Sequence, residues 1–484
     1  MRFGQEAMFC LLPFVFELLL SYKQREHITV AALCFLIMHV PVPGKGMPDL
    51  SMKGRNDLMR KEQDLTTGNV SKKLIKFAVP LLLANLLQSF YSIMDMLVVG
   101  RFVGETGLAA ISNASMISFI INSICIGVTM GGTVLVAQYK GADDEEGQRE
   151  TVGTLFSLSF FASLLVTVSG LLVYRPLFQI LRVPAGSMQD ACDYMRIICC
   201  GTVFVFGYNA VCSVMKGLGD SKSSLYFIAA AAVVNILLDL LLVGPFGMGT
   251  AGAAYATVFS QGISLAISIC CLRRKTFIFP FRLKNFAVQP EKMAAVLKVG
   301  LPTAVQMAVV NISYLMITGM LNQFGVSVAA ASGVGLKVNT FAGMPCWAVG
   351  QAVTAMAGQN MGAGRTDRVK KTTETGLRLN LLITLMAVVL VQLFAGQIIM
   401  LFEPQNKEVI ADGILYLRIC CGINSLVYAA LYTFDSFAIG IGAANIAMVN
   451  ALLDAAVVRL PVSWLLAFTA GMGFPGVYVG QALS

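Results

Sequence analysis

Two carboxylates sit in stretches of this sequence that offer them no water. Asp95 closes the series Asn85, Gln88, Ser92 and Asp95, spaced 3, 4 and 3 residues apart inside the apolar run 74–99. That spacing places all four on one face of a helix. Asp239 follows Asn235 by four residues inside the run 224–245, again on one face, and Thr257 comes soon after the next loop. Hydrocarbon cannot solvate an ionised group, so carboxylates in such runs are functional candidates. At 1.5 Å per residue, Asp95 and Asp239 fall at one depth, each about 20–30 Å from the same end of its helix. Two carboxylates, the Asn235 amide and the Thr257 hydroxyl at that depth could bind Na⁺ through oxygen or hold a proton. The polar stripe ahead of Asp95 could line a cavity or hydrogen-bond to neighbouring helices.

Other chemistry is missing. The only histidines, His27 and His39, precede the main array of apolar runs, so imidazole cannot act inside it. No G-x-x-x-x-G-K-[ST] phosphate loop occurs, so uphill work has to draw on an ion gradient or a partner. No nucleophile–base pair or metal motif lies in the array; an enzyme is not expected, nor any cofactor beyond H⁺ or Na⁺ as coupling ion. The twelve cysteines fall mostly in apolar runs, as in Cys199-Cys200 and Cys420-Cys421, without C-x-x-C spacing. They read as small packing residues.

The elements that must position these groups are membrane helices. Of the 484 residues, 57% are hydrophobic and only 13% charged, where a soluble domain carries about a quarter. Runs of about 20 apolar residues, enough to cross a bilayer, are predicted at 74–99, 108–137, 152–174, 191–213, 224–245 and 252–272. A second set follows at 294–321, 328–357, 376–402, 411–436, 444–468 and from about 475. Residues 1–51 differ from the rest, with two apolar runs too short for secure spans, and read as an extension from a start codon placed too far upstream.

The two sets repeat. Pro80 and Pro302 are 302−80=222 apart, and Tyr194 and Tyr416 are 416−194=222 apart. Gln138 and Gln359 are 359−138=221 apart, and Gly249 and Gly473 are 473−249=224 apart. Matches in order at nearly constant offset mark an internal duplication. Six spans per repeat bring both halves in from the same side, a parallel repeat. The expected fold is an all-α polytopic membrane protein of two six-helix bundles. Its parts are an extension at 1–59, an N-lobe at 60–283 holding helices 1–6, and a C-lobe at 284–484 holding helices 7–12. The repeat also leads one to expect the last helix to be cut short.

Lysine and arginine gather at 72–76, 273–298 and 358–375, and are sparse in the alternate loops. This puts the N-terminus and central loop on the cytoplasmic side of the cell membrane, and accounts for the net charge of +9 without nucleic acid as a partner. The second half lacks a counterpart of Asp95, because position 317 is Ile317. Its own candidates for cavity lining are Asn311, Tyr314, Lys337, Asp435, Asp454 and Arg459. Lys337 and Arg459 could neutralise Asp435 and Asp454 as structural pairs, or Arg459 could extend to the interface. The asymmetry suggests that ion coupling resides in the first half.

The stretches Phe77-Ala78-Val79-Pro80 and Met94-Asp95, then Asn235-Ile236-Leu237-Leu238-Asp239, Ala251-Gly252-Ala253-Ala254 and Thr257, resemble the multidrug and toxic compound extrusion (MATE) family. The resemblance covers about residues 60–484. It implies a V-shaped, monomeric twelve-helix transporter with alternating access, exporting small drug-like organic cations through the lipid bilayer in exchange for H⁺ or Na⁺. It also implies that Asp95, Asn235, Asp239 and Thr257 form the N-lobe ion site. Relatives with a C-lobe cation site carry an acidic residue on the seventh helix; here that helix offers Gln306, Asn311 and Tyr314, although Asp435 matches the tenth-helix acid. A flippase for lipid-linked saccharides is the alternative reading, and would favour a strongly cationic cavity.

Overall fold

The computed structural model describes residues 64–484 except 181–182, 276–278, 280–282, 403, 405 and 423. The extension expected at 1–59, and the loop residues Arg182 and Arg282, lie outside the described residues, as do the side chains of Arg274 and Lys275. The described chain is helical, with no strand among the described residues. The first half comprises α1 (Val70–Phe102), α2 (Glu105–Gly141), α3 (Glu145–Ile180), α4 (Ala185–Gly217), α5 (Ser221–Leu242) and α6 (Gly249–Lys275). The second begins with α7 (Pro290–Leu321), α8 (Val326–Gly362) and α9 (Thr366–Met400).

Beyond α9 the rods are less regular than the sequence suggests. The span expected at 411–436 is two helices, α10 (Lys407–Cys420) and α11 (Asn424–Gly440), bent by 50°. Cys421-Gly422 stands at that break, where glycine weakens a helix. The next span runs from α12 (Ala444–Leu453) through a π-helical turn (Asp454–Arg459), α13 (Leu460–Trp464) and a second π-helical turn (Leu465–Thr469). The described chain closes with the nine-residue α14 (Phe474–Ala482). Among the described residues nine helices are long and apolar enough to cross a membrane, ten if the α10–α11 pair is one span. α8 has the length but not the apolarity, and α14 is too short.

The duplication is visible in the backbone. Gly104 and Gly325 open α2 and α8 at φ of 85° and 110°. After these same helices the left-handed turn residue is Gly364 in one case and Asp143 in the other, at φ of 68° and 57°. A short polar side chain is among the few that tolerate that conformation.

Two of the buried clusters belong to single halves and two are shared. One holds Val98, Ile111, Phe178, Met195, Val243 and Ala254, all from α1–α6 and their loops. Another holds Ile317, Val328, Ile399, Tyr416 and Tyr478, all from the second half. Both lie toward the helix ends poor in lysine and arginine. At the basic ends the cores merge: Leu74, Phe77 and Leu81 of α1 pack with Val349, Val353 and Met356 of α8. Val134 and Met215 likewise share a cluster with Val296, Val299 and Ile439. The halves are therefore joined at the basic end and each has its own core at the other.

The segment before α1 is fastened across this joint. Arg368 donates to the carbonyls of Leu65, Thr67 and Gly68 and to Asn360 Oδ1, at 3.3, 3.3, 2.9 and 3.0 Å. Arg365 donates to Thr66 O at 2.9 Å, and Lys73 bonds back to Asp64 O. Removing this side chain loses four hydrogen bonds, each worth about 1 kcal/mol net. Arg368→Ala should speed tryptic cleavage at Lys72-Lys73 by about tenfold or more; unchanged cleavage would mean that the arginine does not hold the segment.

Candidate functional site

α1, α5 and α6 pack against one another and bring the four predicted ion-site residues together. Asp239 is fully buried at 0% exposure and Asn235 is buried at 1%. Asn235 Nδ2 faces Thr257 Oγ1 at 3.4 Å, a long contact. Asp95 lies close enough to Asp239 for the two carboxylates to repel each other. Among the described residues neither has an ion-pair partner. Both oxygens of Asp239, Oδ1 of Asp95 and Oδ1 of Asn235 are buried without a hydrogen-bond donor. Four such oxygens in one place are rare in a folded protein.

Donor-free oxygens from two carboxylates and an amide, with a hydroxyl at hand, suit a hard cation such as Na⁺. They suit protons equally, since a protonated carboxyl becomes a donor to its neighbour. Asp95, Asn235, Asp239 and Thr257 are the residues that would hold either one.

Two residues complete the site that the sequence did not assign to it. The buried Tyr194 of α4 lies in the field of both Asp95 and Asp239. Tyr91, one turn before Asp95 on α1, lies within the electrostatic reach of Asp95. Tyr194 carried a signal, its repeat partner Tyr416, but nothing in its spacing linked it to a carboxylate on another helix. Within the stripe, Asn85 is half-buried while Gln88 and Ser92 are exposed. Ser89, beside the stripe, touches Met344 Sδ of α8 at 4.0 Å.

The second half answers with a different set. At the offset of 224 fixed by Gly249 and Gly473, Asn235 corresponds to Arg459, Asp239 to Ser463 and Thr257 to Gln481. Arg459 is 3% exposed and pairs with Asp454 at 2.8 Å. It also donates to Ser313 Oγ at 2.8 Å and Ser484 Oγ at 2.9 Å, and lies 4.5 Å over the Tyr314 ring. Gln481 donates to the Tyr416 hydroxyl at 3.0 Å. Where the first half presents unpaired oxygens, the second holds a fixed guanidinium with its partners in place. A cavity of about 70 Å³ beside it is lined by Tyr314, Ile317, Tyr416 and Gln481.

Of the two structural pairs considered from the sequence, Arg459–Asp454 forms and Lys337–Asp435 does not. Asp435 takes amide donors instead, from Asn450 at 2.7 Å and Gln306 at 3.4 Å. Lys337 is exposed on α8, and Asn311 donates to Ser123 Oγ of α2 at 3.3 Å.

Membrane-length helices in two halves, with a buried carboxylate cluster inside the first, are the build of a polytopic transporter. The MatE family model matches residues 80–241 and 302–465, one stretch in each half. The probable multidrug resistance protein YpnP of Bacillus subtilis (strain 168) is 30% identical over 424 residues, covering 88% of this chain and 94% of that protein. The probable multidrug resistance protein NorM of Thermotoga maritima is 25% identical, covering 85% and 89%. A MOP superfamily transporter of Pyrococcus furiosus superposes with a TM-score of 0.81 over 87% of this chain and 94% of that one, at 22% identity. A MATE transporter in the outward-facing conformation gives 0.82 over the same shares, at 21% identity. The chain belongs to the MATE family of multi-pass membrane transporters, which are not enzymes.

Proposed function

We propose that this protein is a secondary active exporter of small drug-like organic cations, driven by H⁺ or Na⁺ entering at Asp95 and Asp239. The observation that carries the reading is the four buried acceptor oxygens with no donor. They give a cation or proton a place to bind in this conformation, and coupling requires the other state to hold it less well. The names of the curated relatives, multidrug resistance proteins among them, support the substrate class. The distribution of lysine and arginine supports a multi-pass protein of the cell membrane with its N-terminus in the cytoplasm, working here as a monomer.

The cycle follows from the two kinds of core. When the basic ends are joined, the halves part at the other end and substrate leaves as the ion binds in the first half. When the basic ends part, the ion is released and substrate loads from the cytoplasm or inner leaflet. The fixed Arg459–Asp454 pair leaves the second half without a matching ion step.

The test is efflux of a fluorescent organic cation from energised vesicles, with ΔpH and ΔNa⁺ collapsed separately. Flux that stops with one gradient and persists without the other names the ion. Absence of flux under both gradients, with folded protein in the membrane, would overturn drug export and bring forward the lipid-linked saccharide flippase.

A further inference from the structure

The two glutamines that betray the sequence duplication, Gln138 and Gln359, reach across between the halves at the basic end. Gln138 Nε2 of α2 donates to Gly440 O, the last residue of α11, at 3.3 Å. Gln359 Nε2 of α8 donates to Gly217 O, the last residue of α4, at 2.9 Å. Acceptors and donors obey the same duplication: 359−138=221 and 440−217=223. Each amide of one half thus bonds the end of a helix in the other, and the two bonds exchange under the internal symmetry.

One turn further along the same helices the backbones meet. A Cβ on Gly141 would stand 1.8 Å from Gln359 O, and a Cβ on Gly362 would stand 1.8 Å from Gln138 O. No side chain fits at either place, and the contact again crosses from one half to the other with its partners exchanged. Gln359 Oε1 also accepts from Leu65 N at 3.0 Å, which ties in the segment before α1. A buried amide whose donor and acceptor are both used is held in one geometry.

We infer that Gln138, Gln359, Gly141 and Gly362 form a symmetric clasp that positions the two halves for transport by holding the basic end shut. The inference rests on the transport reading above, and adds to it the residues that set the balance between the two open states. Because the helix-end carbonyls of Gly217 and Gly440 lose these donors when the halves part, the clasp favours the state that is open at the opposite end.

The experiment reads that balance directly. Met248 and Met472 are exposed at the opposite end, in corresponding turns of the two halves. Azide-bearing amino acids at these positions take a dye pair, and single-molecule energy transfer in lipid nanodiscs reports their separation. The unmodified clasp is expected to give mainly low transfer. Gln138→Leu with Gln359→Leu keeps the side-chain volume but removes the bonds to Gly440 O and Gly217 O, each about a fivefold bias, and with them the acceptor of Leu65 N. The ratio of high- to low-transfer molecules is then expected to rise at least about 25-fold, with a lower thermal unfolding midpoint because the buried Leu65 N–H and Gly217 carbonyl lose their partner. Gly141→Ala and Gly362→Ala should drive the same change by steric exclusion. If either alanine variant fails to fold, the leucine pair decides. An unchanged distribution in the folded leucine pair overturns the clasp. A changed distribution in the leucine pair, together with no gradient-driven efflux by the unmodified protein, upholds the clasp and overturns the exporter reading instead.

Discussion

Asp239→Asn is expected to abolish gradient-driven efflux while making the protein harder to unfold. The substitution keeps the shape of the side chain and removes its ability to ionise. Asp239 lies at 0% exposure with both oxygens lacking a donor, beside a second carboxylate. An asparagine there relieves the repulsion from Asp95 and brings an N–H₂ that can donate to Asn235 Oδ1, itself without a partner. Interactions of charged groups with their partners are worth about 1.5–3 kcal/mol, so ion-coupled flux should fall at least about tenfold. The stability gain should be about 1 kcal/mol, read as a higher unfolding midpoint. Such a trade is expected where a strained site serves activity. Undiminished, gradient-dependent efflux in Asp239→Asn would remove this carboxylate from the coupling step. Loss of both efflux and stability would make it a packing residue instead.

Arg459→Ala should destabilise the second half by about 3 kcal/mol, since breaking a buried pair leaves the remaining charge without compensation. The guanidinium is 3% exposed and Asp454, its partner at 2.8 Å, is 26% exposed. The alanine also withdraws the donors to Ser313 and Ser484 and uncovers the Tyr314 ring. A double variant, Arg459→Met with Asp454→Leu, removes both charges together and should regain most of the lost stability. Unfolding in detergent, followed by tryptophan fluorescence, separates the two cases. Equal stability of Arg459→Ala and the unmodified protein would show that the pair does not hold the helix.

Much of the arrangement was legible because it is local or repeated. The four-residue step from Asn235 to Asp239 and the stripe ending in Asp95 need only helical periodicity. The duplication needs only a constant offset. What escaped was contact between distant helices: Tyr194 beside Asp95 and Asp239, and the amides of Asn450 and Gln306 around Asp435 where Lys337 had been considered. Arg459 could be placed in a span but not assigned between pairing and extension to the interface; its four partners decide that. The bend between α10 and α11 and the π-helical turns at 454–459 and 465–469 depend on packing that apolar periodicity does not encode. Gln138 and Gln359 were visible as markers of ancestry, while their reach across the halves was not.

The polarity of α8 carries a consequence for biogenesis. Residues such as Lys337, Asn339, Gln351, Gln359 and Asn360 make this 37-residue helix less apolar than the other membrane-length helices, which weakens its own drive into lipid. Within the finished protein Gln351 accepts from Lys216 of α4, Gln359 donates to Gly217 O of α4, and Gln359 and Asn360 bond Leu65 ahead of α1. During synthesis those first-half helices have already left the ribosome when α8 emerges. Its entry into the bilayer thus depends on helices made some two hundred residues earlier, so errors in the first half should surface as misinsertion of the second.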